Sequence, residues 1–173
     1  AVKFTLEGYV FIDVTGSVAG DLCNLKILVT DTGIGIPEEY GGLGGDVVLQ
    51  MIFAREMART AGGLLWVWGL TSFGGAKTLT AAGTEEQRQK WLPMMAAGDL
   101  RVSLSMTEPD GGTDVLGAMK TYADKVDGGW VINGAKMWTT AAKAADRLLV
   151  LARSDRNAAK KHHGLTAFFV DAK

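Results

Sequence analysis

Cysteine is nearly absent. Cys23 stands alone, so no intrachain disulfide can form and a disulfide-stapled miniprotein is excluded. A reducing cytoplasm, or a mitochondrial matrix in a eukaryote, suits such a chain. Excess charge of one sign is also lacking: 18 basic and 19 acidic residues leave a formal net charge of −1. That balance gives no broad electrostatic ground for a nucleic-acid partner or an acidic lipid surface. The longest uncharged stretch, residues 60–76, carries five glycines and falls short of the ~20 apolar residues of a spanning helix. It reads as buried protein, and no membrane span is expected. The first residues alternate and lack the basic start and apolar block of a signal peptide. Prolines number three against 23 glycines.

What is present suffices for a core. A chain of 173 residues that is 47% apolar can bury roughly 70% of the surface its unfolded form exposes. The glycines cluster at 33–45, 62–75 and 111–134, where turns and ligand loops are expected. Alternation at Tyr9, Phe11 and Asp13 against Val10, Ile12 and Val14, then at residues 25–29, predicts a β-hairpin turning at residues 16–21. From Val47, the spacing of Val48, Met51, Ile52, Arg55, Met57 and Ala58 predicts a helix burying that face, with a second helix over 64–82. The Met51/Met57 and Trp66/Trp68 faces read as core.

Thr84-Glu85-Glu86-Gln87 has the form of a capping box. Its helix is expected to reach Ala97, kinked or shortened by Pro93. Beyond Leu100, short alternating runs follow at 102–106, 119–126, 130–132, 136–140, 148–152 and 165–170. Turns at 109–112, 127–129 and 133–134 separate them. The expected fold is α+β: an N-terminal hairpin, a helical segment, then an antiparallel β-barrel or sandwich.

The glycine run from Gly33 to Gly45 fails G-x-G-x-x-G, because Glu38 occupies the third glycine position, and no P-loop pattern occurs. Glu108 and Asp114 could form a carboxylate pair for acid/base work, but in a glycine-rich turn they read rather as partners of backbone N–H groups. His162-His163 lacks acidic or thiolate companions at metal-site spacing and reads as a solvated loop. By itself Trp138 reads as an ordinary core aromatic.

Two resemblances add to this. The opening alternation leading into Asp31-Thr32-Gly33-Ile34-Gly35 resembles the ATP-binding domain of sensor histidine kinases. That implies adenine recognition by Asp31 and a lid loop at Gly33 and Gly35. From residue 36 a longer pattern takes over. Ile36-Pro37-Glu38-Glu39-Tyr40-Gly41-Gly42 and Gly83-Thr84-Glu85-Glu86-Gln87 are followed by Met106-Thr107-Glu108-Pro109-Asp110-Gly111-Gly112-Thr113-Asp114 and by Ile132-Asn133-Gly134-Ala135-Lys136-Met137-Trp138-Thr139-Thr140. In that order these blocks resemble acyl-CoA dehydrogenases. Residues 33–39 fit either family, so the chain is expected to be a chimera: 1–35 kinase-like hairpin, 36–99 helical N-terminal segment, 100–173 middle β domain.

The dehydrogenase resemblance implies FAD as cofactor, acyl-CoA as substrate, an electron-transfer acceptor as partner, and room for an oligomer. It implies flavin contacts at Met106, Thr107, Trp138 and Thr140, and Thr113 toward the acyl-CoA. The catalytic glutamate of that family belongs to a C-terminal helical domain, so residues 1–173 alone are expected to be an inactive FAD and acyl-CoA half-site. The alternatives are an ATP-binding signalling fragment or a non-catalytic interaction module.

Overall fold

The computed structural model describes the strand backbones at residues 11–19 and 22–30 and all of residues 35–173 except the side chains at 60, 61 and 161. The chain divides into two compact units, Ala1–Leu100 and Arg101–Lys173.

The first unit begins with β1 (Phe11–Ala19) and β2 (Leu22–Thr30), antiparallel from Phe11↔Thr30 to Ala19↔Leu22. The hairpin is present, but the turn expected at 16–21 is shorter. Gly16 pairs with Leu25 and Ser17 with Asn24, so the ladder carries a glycine that strands usually disfavour. Next, the glycine-rich loop closes on itself: the Gly35 N–H donates to Gly44 O at 2.6 Å and the Gly44 N–H to Ile36 O at 2.8 Å. Ile36 and Tyr40 are buried, and the Tyr40 hydroxyl donates to the Glu85 carboxylate at 3.1 Å.

Helix α1 (Val47–Gly69) starts at Asp46, whose carboxylate accepts from the Leu49 N–H at 2.9 Å. It continues without interruption through a π-helical stretch, Leu70–Ala76, into α2 (Lys77–Ala82). The two expected helices are therefore one run. No proline stands between them, Gly62 and Gly63 are carried inside α1, and the Gly74-Gly75 pair falls within the wider π-helical turn. The buried face also differs from the expected one. Gln50, Phe53 and Met57 face inward, whereas Val48, Met51 and Ile52 are exposed. Apolar residues lie on several sides of α1, so their spacing does not select a face. Phe53 meets Trp68 at 4.6 Å between ring centroids, and Trp68 meets Phe73 edge-on at 5.1 Å. Trp66, read as core, is 70% exposed.

Helix α3 (Glu85–Ala97) opens with the expected capping box: Gln87 N–H to Thr84 Oγ1 at 3.3 Å and Thr84 N–H to Gln87 Oε1 at 2.9 Å. It runs past Pro93 to Ala97 without being shortened, and Gly98 closes it at φ 80 with its N–H on the last-turn carbonyls. One ladder bond is lost at Pro93, while the left-handed glycine and the Asp99 and Leu100 N–H groups satisfy the freed end at Met94 O.

The second unit holds β3 (Val102–Ser105), α4 (Val115–Ala118), β4 (Tyr122–Val126), β5 (Gly129–Asn133), β6 (Arg147–Arg153) and β7 (Leu165–Asp171). The expected barrel or sandwich is not what forms. The sheet is open and mixed. β6 pairs parallel with β3, antiparallel with β7, and parallel with β4 at Tyr122↔Arg153, while β5 is antiparallel to β4. Local turns announce hairpins, but the parallel pairs arise from a long crossover that no turn signal marks. Two expected strands also change. Residues 119–121 precede the β4 ladder rather than joining it, and residues 136–140 belong to no ladder. Val102, Ala123, Val150 and Ala152 form the buried centre.

Candidate functional site

The two motif segments of the second unit meet beside β3. Met106 and Thr107 continue the chain just after β3 ends, in irregular backbone rather than on a strand. Residues 134–140 run alongside them, held by individual bonds instead of a ladder. The Met137 N–H donates to Thr107 O at 2.8 Å. Lys136 Nζ donates to Met106 O at 3.1 Å. Ser105 Oγ and Thr139 Oγ1 are 2.8 Å apart, and Ser103 Oγ donates to Thr140 O. These contacts bring Met106, Thr107, Trp138 and Thr140 into one neighbourhood.

The neighbourhood has an apolar and a hydroxyl component. Met106, Met137 and Trp138 are exposed, with Trp138 at 80%. Trp138 is therefore no core aromatic. Its backbone sits at φ 57, and Ala141 three residues on has φ 58; these are the non-glycine residues with positive φ among those described. Left-handed backbone costs a non-glycine residue roughly 1–2 kcal/mol. An exposed indole also forgoes on the order of 3 kcal/mol of burial. Both costs fall on one residue, a combination that points to a ligand or partner surface.

Beneath this surface lies the reverse situation. The Glu108 and Lys136 side chains are 5% and 9% exposed and 2.8 Å apart. Glu108 also accepts from the backbone N–H groups of Lys120 at 2.6 Å and Thr121 at 3.0 Å. Burial alone would push its carboxyl up. The Lys136 ammonium, the Thr121 hydroxyl dipole and those two N–H groups outweigh burial and hold it at about 2. A carboxylate so held is a poor proton acceptor near neutrality. The Glu108 backbone exchanges 3.2 Å bonds with Gly111 in both directions, closing the turn. Asp114 caps α4, accepting from the Gly117 N–H at 2.8 Å. Both carboxylates thus serve backbone, as the glycine-rich context suggests. Gly134 is needed for approach: a Cβ there, at φ 153, would lie 2.7 Å from the Thr121 Cα and Cβ.

Thr113 is exposed in the turn ahead of α4 and is not tied by a hydrogen bond to the 136–140 segment among the described residues. Lys136 is the residue that sequence reasoning passed over. Its signal was available: a lysine inside an apolar and hydroxyl-rich segment needs a counter-charge, and the neighbouring motif offers Glu108. At the other end of the chain, Asp31 and Gly33 lie outside the described residues. The Gly35 N–H is committed to Gly44 O within the closed loop.

Comparison with known proteins finds one family across both units. Residues 32–99 match the acyl-CoA dehydrogenase N-terminal domain, and residues 103–173 match the acyl-CoA dehydrogenase middle domain. A mitochondrial 2-methylacyl-CoA dehydrogenase of Solanum tuberosum is 40% identical over 163 residues, covering 92% of this chain and 39% of that protein. The ChsE4-ChsE5 complex from Mycobacterium tuberculosis superposes with a TM-score of 0.71 at 37% identity, covering 81% of this chain and 35% of that one. A glutaryl-coenzyme A dehydrogenase in complex with glutaryl-CoA gives a TM-score of 0.73 at 35% identity, covering 82% of this chain and 36% of that one. The chain belongs to the acyl-CoA dehydrogenase family, as its N-terminal and middle domains, and spans about two fifths of the curated relative's length. The chimera expectation is not supported. A match over 92% of the chain necessarily reaches into residues 1–35.

Proposed function

We propose that residues 101–173 provide the flavin-facing wall of an FAD-dependent acyl-CoA dehydrogenase, and that the whole protein desaturates an acyl-CoA thioester. The observation that carries this reading is Trp138: an indole 80% exposed on left-handed backbone, beside Met106 and Thr107. The donor set suits a flavin, which needs an apolar wall and a few N–H or O–H donors for its polar edge. Met106 and Trp138 supply the wall. The hydroxyls of Thr107 and Thr140 are available, since neither makes a hydrogen bond among the described residues. Bound flavin would supply the hydride acceptor of the reaction.

This chain's own residues bind and orient. Trp138 stacks and excludes water; Thr140 and Thr107 donate to the ring edge; Thr113 faces the acyl-CoA. Glu108 is no proton acceptor here, because Lys136 and two backbone N–H groups already claim it. That residues 1–173 alone carry no turnover is part of the same proposal. An electron-transfer protein as acceptor, an assembly of subunits and a mitochondrial or cytoplasmic setting belong to the same proposal. Among the described residues no helix is long and apolar enough to cross a membrane.

Flavin difference spectra test the reading. FAD is expected to perturb its own bands on binding. The double change Trp138→Ala, Thr140→Val is expected to weaken binding about tenfold or more, since a stacked aromatic and a hydrogen bond are each worth about 1 kcal/mol. Asp31→Asn is expected to leave it unchanged. Affinity lost with Asp31→Asn and kept in the double variant would place the ligand elsewhere.

A further inference from the structure

Lys136 does two things at once. Its ammonium reaches the Glu108 carboxylate at 2.8 Å and the main-chain oxygen of Met106 at 3.1 Å. Glu108 in turn is fixed by the Lys120 and Thr121 N–H groups, immediately before β4. One buried lysine therefore ties three stretches of chain: the segment bearing Trp138, the segment bearing Met106 and Thr107, and the entry to the sheet. The adjoining Met137 N–H to Thr107 O bond runs in the same sense. Without a ladder across residues 134–140, these bonds set the register at Met106 and Thr107, while those from Ser103 and Ser105 hold Thr140 and Thr139 farther along.

A salt bridge placed only for stability has no need of the Met106 oxygen. Buried ion pairs contribute little net stability compared with well-packed neutral groups, so their retention calls for another account. Here the bond to Met106 O supplies one, because it fixes the residue whose side chain lies exposed beside Trp138.

We propose that Lys136 and Glu108 are a positioning pair that locks Met106 and Thr107 against Met137 and Trp138, setting the spacing and tilt of the flavin-facing wall. The inference rests on the reading of that wall as a flavin site, and its test separates the two. The neutral pair Lys136→Met with Glu108→Gln leaves no unpaired buried charge, so it removes the lock without the cost of a stranded ion. With 5-fluorotryptophan incorporated and the Trp138 resonance assigned by Trp138→Phe, fluorine NMR reads the wall with no ligand present.

The double variant is expected to melt near the parent, to shift or broaden the Trp138 resonance, and to bind FAD about tenfold more weakly or worse. In the parent chain, hydrogen exchange at the Met137 N–H is expected to be slowed at least a hundredfold relative to an exposed loop amide. A double variant whose Trp138 resonance and FAD affinity both match the parent would overturn the proposal, as would unprotected exchange at Met137. Should the parent bind no FAD while the resonance still moves, the flavin reading fails and the positioning role stands.

Discussion

Lys136 and Trp138 are two residues apart and opposite in every physical respect. The lysine is sequestered, its ammonium shared between a carboxylate and a main-chain oxygen. The tryptophan is 80% exposed on backbone that its residue type disfavours. Burying the charge and exposing the indole is the reverse of what folding alone rewards. The lesson is a division of labour along one short segment: one side chain anchors, and the next but one is presented outward.

The comparison breaks most sharply at the anchor. Lys136→Met alone strands the Glu108 carboxylate in the interior and is expected to destabilise the unit by about 3–5 kcal/mol, measured by urea denaturation. No such loss from a single change would mean that Glu108 is not held as described.

Acid probes the same anchor. The Glu108 carboxyl is held at about 2, below its ordinary 4.5, so it contributes stability that is full above about pH 4.5 and fades as the pH falls toward 2. The shift corresponds to about 3 kcal/mol. Glu108→Gln is expected to flatten that acid limb in a melting-against-pH profile, and an unchanged limb would contradict the burial and pairing of Glu108.

Gly134→Ala comes next. It would put a Cβ against Thr121 at φ 153 and is expected to cost about 2 kcal/mol, again by denaturation. A neutral result would show that the segment can stand off from Thr121.

Of the anchor, the sequence showed the carboxylate's bonds to backbone but not the lysine, and of the presentation it showed little. The motif blocks at 106–114 and 132–140 are the segments that the structure brings together, and the glycine-rich turn correctly implies backbone work for Glu108 and Asp114. The capping box at Thr84 is local chemistry, so it could be read locally. What failed was non-local or conformational. The residues 136–140 alternate like a strand, yet side-chain bonds from Ser103 and Ser105 replace the ladder. Nothing about a tryptophan predicts left-handed backbone. The parallel pairing of β3 with β6 depends on a crossover over 40 residues long, which turn signals cannot encode. On α1, apolar residues on more than one side hid the fact that Gln50, Phe53 and Met57 are the buried set.

The smallest effect on stability belongs to the presented residue. Trp138→Ala removes an exposed side chain, and its melting is expected to stay within about 0.5 kcal/mol of the parent. Measuring FAD affinity and thermal melting on the same Trp138→Ala sample tests the account most directly. It predicts affinity lowered by about fivefold or more with the melt unchanged. A melt lowered by several degrees with affinity intact would show that Trp138 serves the fold and not a ligand.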